Sequence, residues 1–383
     1  MKDTRVKRHR FHQGVITFIQ KVIAPLVRRA YAFRTDRPVS VEGPFLAVAN
    51  HVTAADPVLM GMTFKQQMYY VASEHLMQKG LVSRLLKLFF DPIVRRKGDS
   101  AVTAVREMLG CLKKGYNVGV FPEGTCSFDG TNAPMLPTIG KLARASGATL
   151  VTYRFEGGFF TLPRWGRGIR RGRFEGHIVH RYSPETLRAM TDAEINAHIA
   201  EDIGEDAYAR EQQTRAAYKS RHRAEYLESS FFLCPACKRV GTLKTRNDTV
   251  RCACGMTGTL DASYRLAGMP VETLPAWDAL QRGWLSEAAN DPEFAFSDEP
   301  VRLVETDAKH RRTPIACGAL RMTREAITVG THSIALDTIT DMELVRRNLL
   351  VFSTRDAHYQ MSGQKTLNTR KYMLLYHIWK GAK

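Results

Sequence analysis

Two kinds of hydrophobic pattern alternate along the first half of the chain. Short continuous apolar runs over 45–49, 68–72, 118–121 and 149–153 predict buried strands, and apolar residues at helical spacing over 81–89, 101–113 and 141–145 predict helices between them. Strands that alternate with helices specify an α/β layer architecture. From Thr191 to about Ser230 the pattern turns to charged helix formers, including Asp206-Ala-Tyr-Ala-Arg and Ala224-Glu-Tyr-Leu-Glu, which predicts a helical connector. Beyond Ala262 a stretch bearing Pro, Trp and acids (270–300) leads into strand-like runs at 319–322, 326–329, 333–336, 339–345, 349–352 and 358–361, closed by a helical pattern over 368–379.

Charge changes the reading of the N-terminus. The chain carries 56 Lys and Arg against 38 Asp and Glu, a formal net charge of +18. That balance favours anionic partners, phospholipid or nucleic acid, without separating them. Residues 1–37 hold ten of these cations and two acids, and among them Val15, Phe18, Ile19, Val22, Ile23 and Leu26 recur at helical spacing. An amphipathic helix with basic flanks is expected there, suited to the interface of an anionic membrane or to packing on the domain's own core. No apolar run is long enough to span a bilayer, and 15–19 is too short and polar for a signal peptide. The expected location is therefore cytoplasmic and peripheral, on the cytoplasmic face of the membrane. A second cluster, Arg164, Arg167, Arg170, Arg171, Arg173 and Arg181 around Trp165, reads either as a solvated loop or as a surface for an acidic partner.

Candidate chemistry sits just after two of the apolar runs. Asn50-His51-Val52-Thr53-Ala54-Ala55-Asp56 follows the first, and Pro122-Glu123-Gly124-Thr125 follows Phe121 at the end of the third. At the carboxyl edge of an α/β sheet His51 would stand where such sheets gather ligands, with Asp56 able to hold one ring nitrogen while the other takes a proton. Residues five apart are offset by roughly 140° on a helix, so the chain must turn between them. Thr53 to Asp56 also has the form of a capping box, in which Asp56 closes the first turn of a helix from 54 towards 64 and His51 is an ordinary loop residue.

In order and spacing, Asn50 to Asp56, then Pro92-Ile93-Val94-Arg95-Arg96, then Phe121 to Thr125 resemble the glycerolipid acyltransferases, typified by 1-acylglycerol-3-phosphate acyltransferase, over about residues 40–160. The resemblance implies that His51 is the general base and Asp56 its partner. It also implies that Phe121, Pro122, Glu123, Gly124 and Thr125, with Arg95, line the site for a phosphorylated glycerol backbone. The implied reaction moves an acyl group from acyl-CoA or acyl carrier protein to 1-acylglycerol 3-phosphate, giving phosphatidate. Glycerol-3-phosphate and other lysophospholipids are the alternative acceptors. Backbone amides near Gly124, or at the helix start after His51, are the expected donors to the oxyanion. Two departures stand out: Cys126 occupies a position where the family usually has Arg, and Leu150-Val151-Thr152-Tyr153 lacks the family's proline. Cys126, beside the expected site, is a candidate reactive thiol.

Four of the seven cysteines form Cys234-Pro-Ala-Cys237 and, after fourteen residues, Cys252-Ala-Cys254. Two pairs joined by a hairpin-like segment (239–250) can give four thiolates to one structural zinc, and the pattern resembles a zinc ribbon, with C-x-C in place of the usual second C-x-x-C. The expected organisation is a basic amphipathic helix (1–37), an acyltransferase core (38–190), a helical connector (191–230), a zinc ribbon (231–262) and a β-rich domain resembling a pleckstrin-homology-like barrel (263–383). A non-catalytic nucleic-acid-binding protein is the rival reading. The ribbon segment from Lys238 to Arg251 has five basic residues and no aromatic, and stacking on bases needs aromatics, so nucleic acid is the less favoured partner.

Overall fold

The computed structural model describes residues 4–73, 81–95, 101–307 and 311–381. The chain divides into two compact units, Met1–Pro163 with Ile169–Lys219, and Arg164–Gly168 with Ser220–Lys383.

The first unit is built on a seven-stranded sheet. Its strands are β1 (Phe33–Thr35), β2 (Phe45–Ala49), β3 (Met68–Ser73), β4 (Ile93–Arg95), β5 (Asn117–Val120), β6 (Thr149–Glu156) and β7 (Phe174–Tyr182), in the order β1-β7-β6-β2-β5-β3-β4. All neighbouring pairs are parallel except β6 with β7. The helices are α1 (Thr4–Phe18), α2 (Ala24–Tyr31), α3 (Asp56–Gly61), α4 (Leu81–Phe89), α5 (Ala101–Lys113), α6 (Ile139–Ser146), α7 (Gly158–Thr161), α8 (Pro184–Ala189), α9 (Asp192–Asp202) and α10 (Ala207–Thr214). The α/β expectation holds for this unit.

The continuous apolar run of β2 is explained by its central place, since a strand covered on both faces needs no polar alternation. Leu46 and Val48 enter one core with Met108 and Leu112 of α5, Leu142 of α6 and Ile199 of α9. Phe45, Ala47 and Ala49 enter the other with Leu59, Met60, Phe64, Tyr153 and Phe155. Gly119 on β5 lets the Tyr70 ring lie across the strand, because a Cβ there would sit 2.5 Å from that ring.

The N-terminal helix buries one face and leaves the other exposed. A π-helical turn (Ile19–Ile23) joins α1 to α2. His12, Ile16 and Ala24 are buried, and His12 meets the Tyr69 hydroxyl at 3.2 Å and the Leu88 carbonyl at 3.1 Å. Phe11, Phe18, Val22 and Leu26 stay exposed, as do Leu81, Leu85 and Leu88 of α4. Among the described residues no helix is long and apolar enough to cross a membrane.

The second arginine cluster is mixed: Arg171 and Arg181 are exposed, whereas several of the others are engaged. Arg170 is fully buried, Arg164 donates to the Leu344 carbonyl, Arg167 pairs with Glu225, and Arg173 pairs with Glu175. Trp165 is buried as well. The helix expected at Ala224 to Glu228 does not form either. Tyr226 takes a left-handed φ of 71°, only a 3-10 turn follows at Leu227–Ser229, and the Tyr226 amide bonds the Thr245 hydroxyl.

In the second unit β8 (Leu243–Arg246), β9 (Thr249–Cys252), β10 (Thr257–Leu260) and β11 (Leu266–Ala267) form a small antiparallel sheet. Helix α11 (Leu274–Ala288) occupies the stretch that the sequence left without an element. A second sheet runs β15-β14-β13-β12-β18-β17-β16, with β12 (Phe296–Thr306), β13 (Arg312–Met322), β14 (Ala326–Val329), β15 (His332–Ala335), β16 (Asp341–Arg346), β17 (Leu349–Ser353) and β18 (His358–Gly363). The final helix is α12 (Arg370–Trp379). Strand β12 was missed because Pro300 breaks its pattern, and a register shift in its pairing with β13 lies between Asp298 and Val301. Buried Arg370 pairs with Asp278 at 2.7 Å, tying α12 to α11, and the Trp277 indole donates to the Leu233 carbonyl just before the first cysteine pair. A buried pair of this kind contributes more to holding one arrangement than to net stability.

Candidate active site

Parallel pairing of β2 with β5, with Leu46 opposite Val118 and Val48 opposite Val120, brings the carboxyl ends of both strands to one edge of the sheet. The two sequence motifs therefore meet. His51 leaves β2 two residues past its end, and Phe121 to Gly124 turn at the end of β5, closed by the Gly124 amide on the Phe121 carbonyl with Gly124 at φ +67°. The His51 and Phe121 rings stack at 4.5 Å.

The Asp56 carboxylate organises the first motif. It is fully buried at the start of α3. One oxygen accepts from His51 Nδ1 at 2.9 Å, the Val52 amide at 2.7 Å and the Thr53 amide at 2.9 Å, and the other accepts from the Thr53 hydroxyl at 2.6 Å. Asp56 orients the imidazole, whereas the capping box is not formed: the Thr53 hydroxyl donates to Asp56 instead of accepting its amide, and the residue capping the helix is Ala55, with no side-chain bond. Helix α3 begins later than expected, at Asp56. Four donors offset the cost of burying this group. They also consume the amides after His51 that were expected to serve an oxyanion, and the Gly124 amide is engaged as well.

Glu123 ties the second motif to the first. It is 8% exposed, accepts from the His51 amide at 2.9 Å and Asn132 Nδ2 at 2.8 Å on one oxygen, and accepts from the Ala133 amide at 2.8 Å on the other. Burial raises its pKa, against the pull of these donors. Asn132 also accepts from the Glu205 amide, and Asn50 exchanges two hydrogen bonds with the Phe155 backbone on β6 at 2.9 and 2.7 Å. Neither asparagine was singled out from the sequence. Asn50 stood inside the quoted motif, but nothing in a single chain marks Asn132 as Glu123's partner.

Cys126 Sγ lies 3.5 Å from His51 Nε2 and 3.7 Å from Nδ1. Near-equal distances to the two nitrogens put the sulfur over the ring face, since in the ring plane it would overlap Cε1. The Ser127 amide donates to the His51 carbonyl at 2.9 Å and pins the two loops together. Burial alone would depress the imidazole, but charge on the Cys126 sulfur, followed by the bond to Asp56, outweighs it and pushes His51 up to about 10.

Arg95 ends β4, opposite Ser73 on β3, at the same carboxyl edge three strands from β2, on the order of 14 Å away. Its side chain and Arg96 lie outside the described residues.

The four cysteines of the second unit converge as their spacing predicted. Their sulfurs lie within 4.8 Å of one another, with Cys234 to Cys254 at 3.9 Å and Cys237 to Cys252 at 3.8 Å. A tetrahedral zinc with bonds of about 2.3 Å needs ligand sulfurs about 3.8 Å apart, so the set fits that ion. Left-handed Lys238 and Gly255 turn the chain after each pair. The C-x-C spacing is no obstacle.

A buried acid that orients a histidine at the carboxyl edge of an α/β sheet is the equipment of an enzyme that moves a proton during group transfer. Residues 30–156 match the family model "Acyltransferase". The 1-acyl-sn-glycerol-3-phosphate acyltransferase of Bacillus subtilis (strain 168) is 26% identical over 169 residues, which cover 41% of this chain and 80% of that protein. Among solved structures, the 1-acyl-sn-glycerophosphate (LPA) acyltransferase PlsC of Thermotoga maritima is similar, with a TM-score of 0.42 and 20% identity over 56% of this chain and 85% of that one. The chain is an acyltransferase enzyme, with the acyltransferase match confined to residues 30–156.

The pKa argument has a direct check. The His51 imidazole, followed by NMR, should titrate near 10 in the wild-type protein and well below that in Cys126→Ser. An unchanged titration would show that the sulfur does not set the proton affinity of the base.

Proposed function

We propose that this enzyme transfers an acyl group from a thioester, acyl-CoA or acyl carrier protein, to the free hydroxyl of a lysophosphatidate-type acceptor, a step of phospholipid synthesis. The observation that carries this reading is the His51–Asp56 pair at 2.9 Å, with the imidazole side chain 20% exposed. Asp56 holds the proton on Nδ1, so Nε2 is the atom that accepts the hydroxyl proton as oxygen attacks the thioester carbonyl. A positioned base of this kind contributes about 10²- to 10⁴-fold. Glu123 acts through the His51 backbone amide, and the Phe121 to Thr125 turn forms the wall beside the base. Arg95, at the same sheet edge, is assigned to the acceptor phosphate, which a guanidinium can grip with two bonds. The acceptor class is carried over from the 1-acyl-sn-glycerol-3-phosphate acyltransferase of Bacillus subtilis.

Two further parts belong to this reading. The four cysteines hold a structural zinc, because four thiolates leave no position for water or substrate. The outward faces of α1, α2 and α4 dock on an anionic membrane. Exposed Phe18, Val22 and Leu26 and exposed Leu81, Leu85 and Leu88 stand among exposed Lys21, Arg29, Arg84 and Lys87, the composition of an interfacial surface.

Each part has its own test. With labelled acyl thioester and lysophosphatidate, wild-type enzyme should form phosphatidate, and His51→Ala and Asp56→Asn should lose about 10²-fold or more with folding intact. No product with either carrier would sink the acceptor assignment. Elemental analysis should find about one zinc per chain, and well-folded metal-free protein would refute the zinc. Phe18→Glu with Leu26→Glu should release the protein from phosphatidylglycerol vesicles. Sedimentation equal to wild type would reject the docking face.

A further inference from the structure

We propose that Cys126 is a covalent acyl carrier: its thiol takes the acyl group from the donor thioester and holds it as an enzyme thioester until the acceptor hydroxyl arrives. This rests on the thioester-donor reading above and adds a second chemical step to it. A nucleophile, a base within reach and a third group that orients the base are the elements of covalent catalysis. Here they are Cys126, His51 at 3.5 Å through Nε2, and Asp56 at 2.9 Å through Nδ1. The bond from the Ser127 amide to the His51 carbonyl keeps the cysteine loop against the base, and Cys126 is half-buried, within reach of a substrate.

The chemistry balances without any co-reactant. In the first half His51 Nε2 takes the thiol proton, Sγ attacks the donor carbonyl carbon, the bond from that carbon to the donor sulfur breaks, and the departing thiolate receives the proton. One thioester replaces another, so little free energy changes. In the second half Nε2 takes the acceptor hydroxyl proton, oxygen attacks the acyl carbon, the bond to Sγ breaks, and Cys126 recovers the proton. In each half the sulfur turns from over the ring face into the plane of Nε2.

The test is a rapid acid quench of the full-length wild-type protein with radiolabelled palmitoyl-CoA, and separately with palmitoyl-acyl carrier protein, without acceptor. The expected result with at least one donor is a burst of free thiol near one equivalent per chain. Label should appear on the Cys126 peptide, labile to neutral hydroxylamine, and should discharge into product on adding 1-palmitoylglycerol 3-phosphate no slower than turnover. Exposed Cys317 gives the uncatalysed background. Folded Cys126→Ala should lose burst and label together. Product from wild type with Cys126 at background labelling at every quench time overturns the carrier and leaves the acyltransfer reading standing, as does Cys126→Ala turning over at the wild-type rate. Labelled Cys126 with no discharge to lysophosphatidate keeps the thiol capture and rejects the acceptor. An unlabelled Cys126 with both donors and no product rejects both.

Discussion

The parallel pairing of β2 with β5 is the constraint on which the site depends. It joins segments separated in sequence by β3, α4, β4 and α5, and register alone sets His51 beside the Phe121 to Gly124 turn. The register is enforced from both faces. Alternate residues of β2 belong to two different cores, so a slip of one residue would exchange them and place Phe45 and Ala47 among partners shaped for Leu46 and Val48.

On that frame a short polar relay fixes the loops. Asn50 clamps the end of β2 to β6, Asp56 gathers the imidazole and two amides, and Glu123 fastens the His51 backbone to the segment around Asn132. Each is a buried group engaged by its partners, so loss of one partner leaves another unsatisfied at about 1–3 kcal/mol. The network is rigid for the reason that it is expensive to break. Cys126 stands apart from it. Its sulfur does not complete the relay but lies 3.5 Å from Nε2 of the ring that the relay orients.

The second unit follows another physical logic. Its small four-stranded sheet follows a segment held by the Trp277 indole on the Leu233 carbonyl, and the Arg370–Asp278 pair joins the two helices of the unit.

The sequence by itself determined the α/β alternation, the two site motifs and the cysteine quartet, because each is local: apolar runs report burial, and short spacings report which atoms can meet. It also showed that the N-terminal segment forms an amphipathic helix. Register and long-range polar contacts were not legible. The use of Asp56 to orient His51 instead of closing a capping box, the burial of Arg170 and Trp165, and the failure of the 224–228 helix were all decided by tertiary packing. A single chain carries no mark of which distant backbone group will satisfy Glu123 or Tyr226. Propensity and pattern are summed over a few residues, whereas the partner of a buried polar group is chosen by the whole fold.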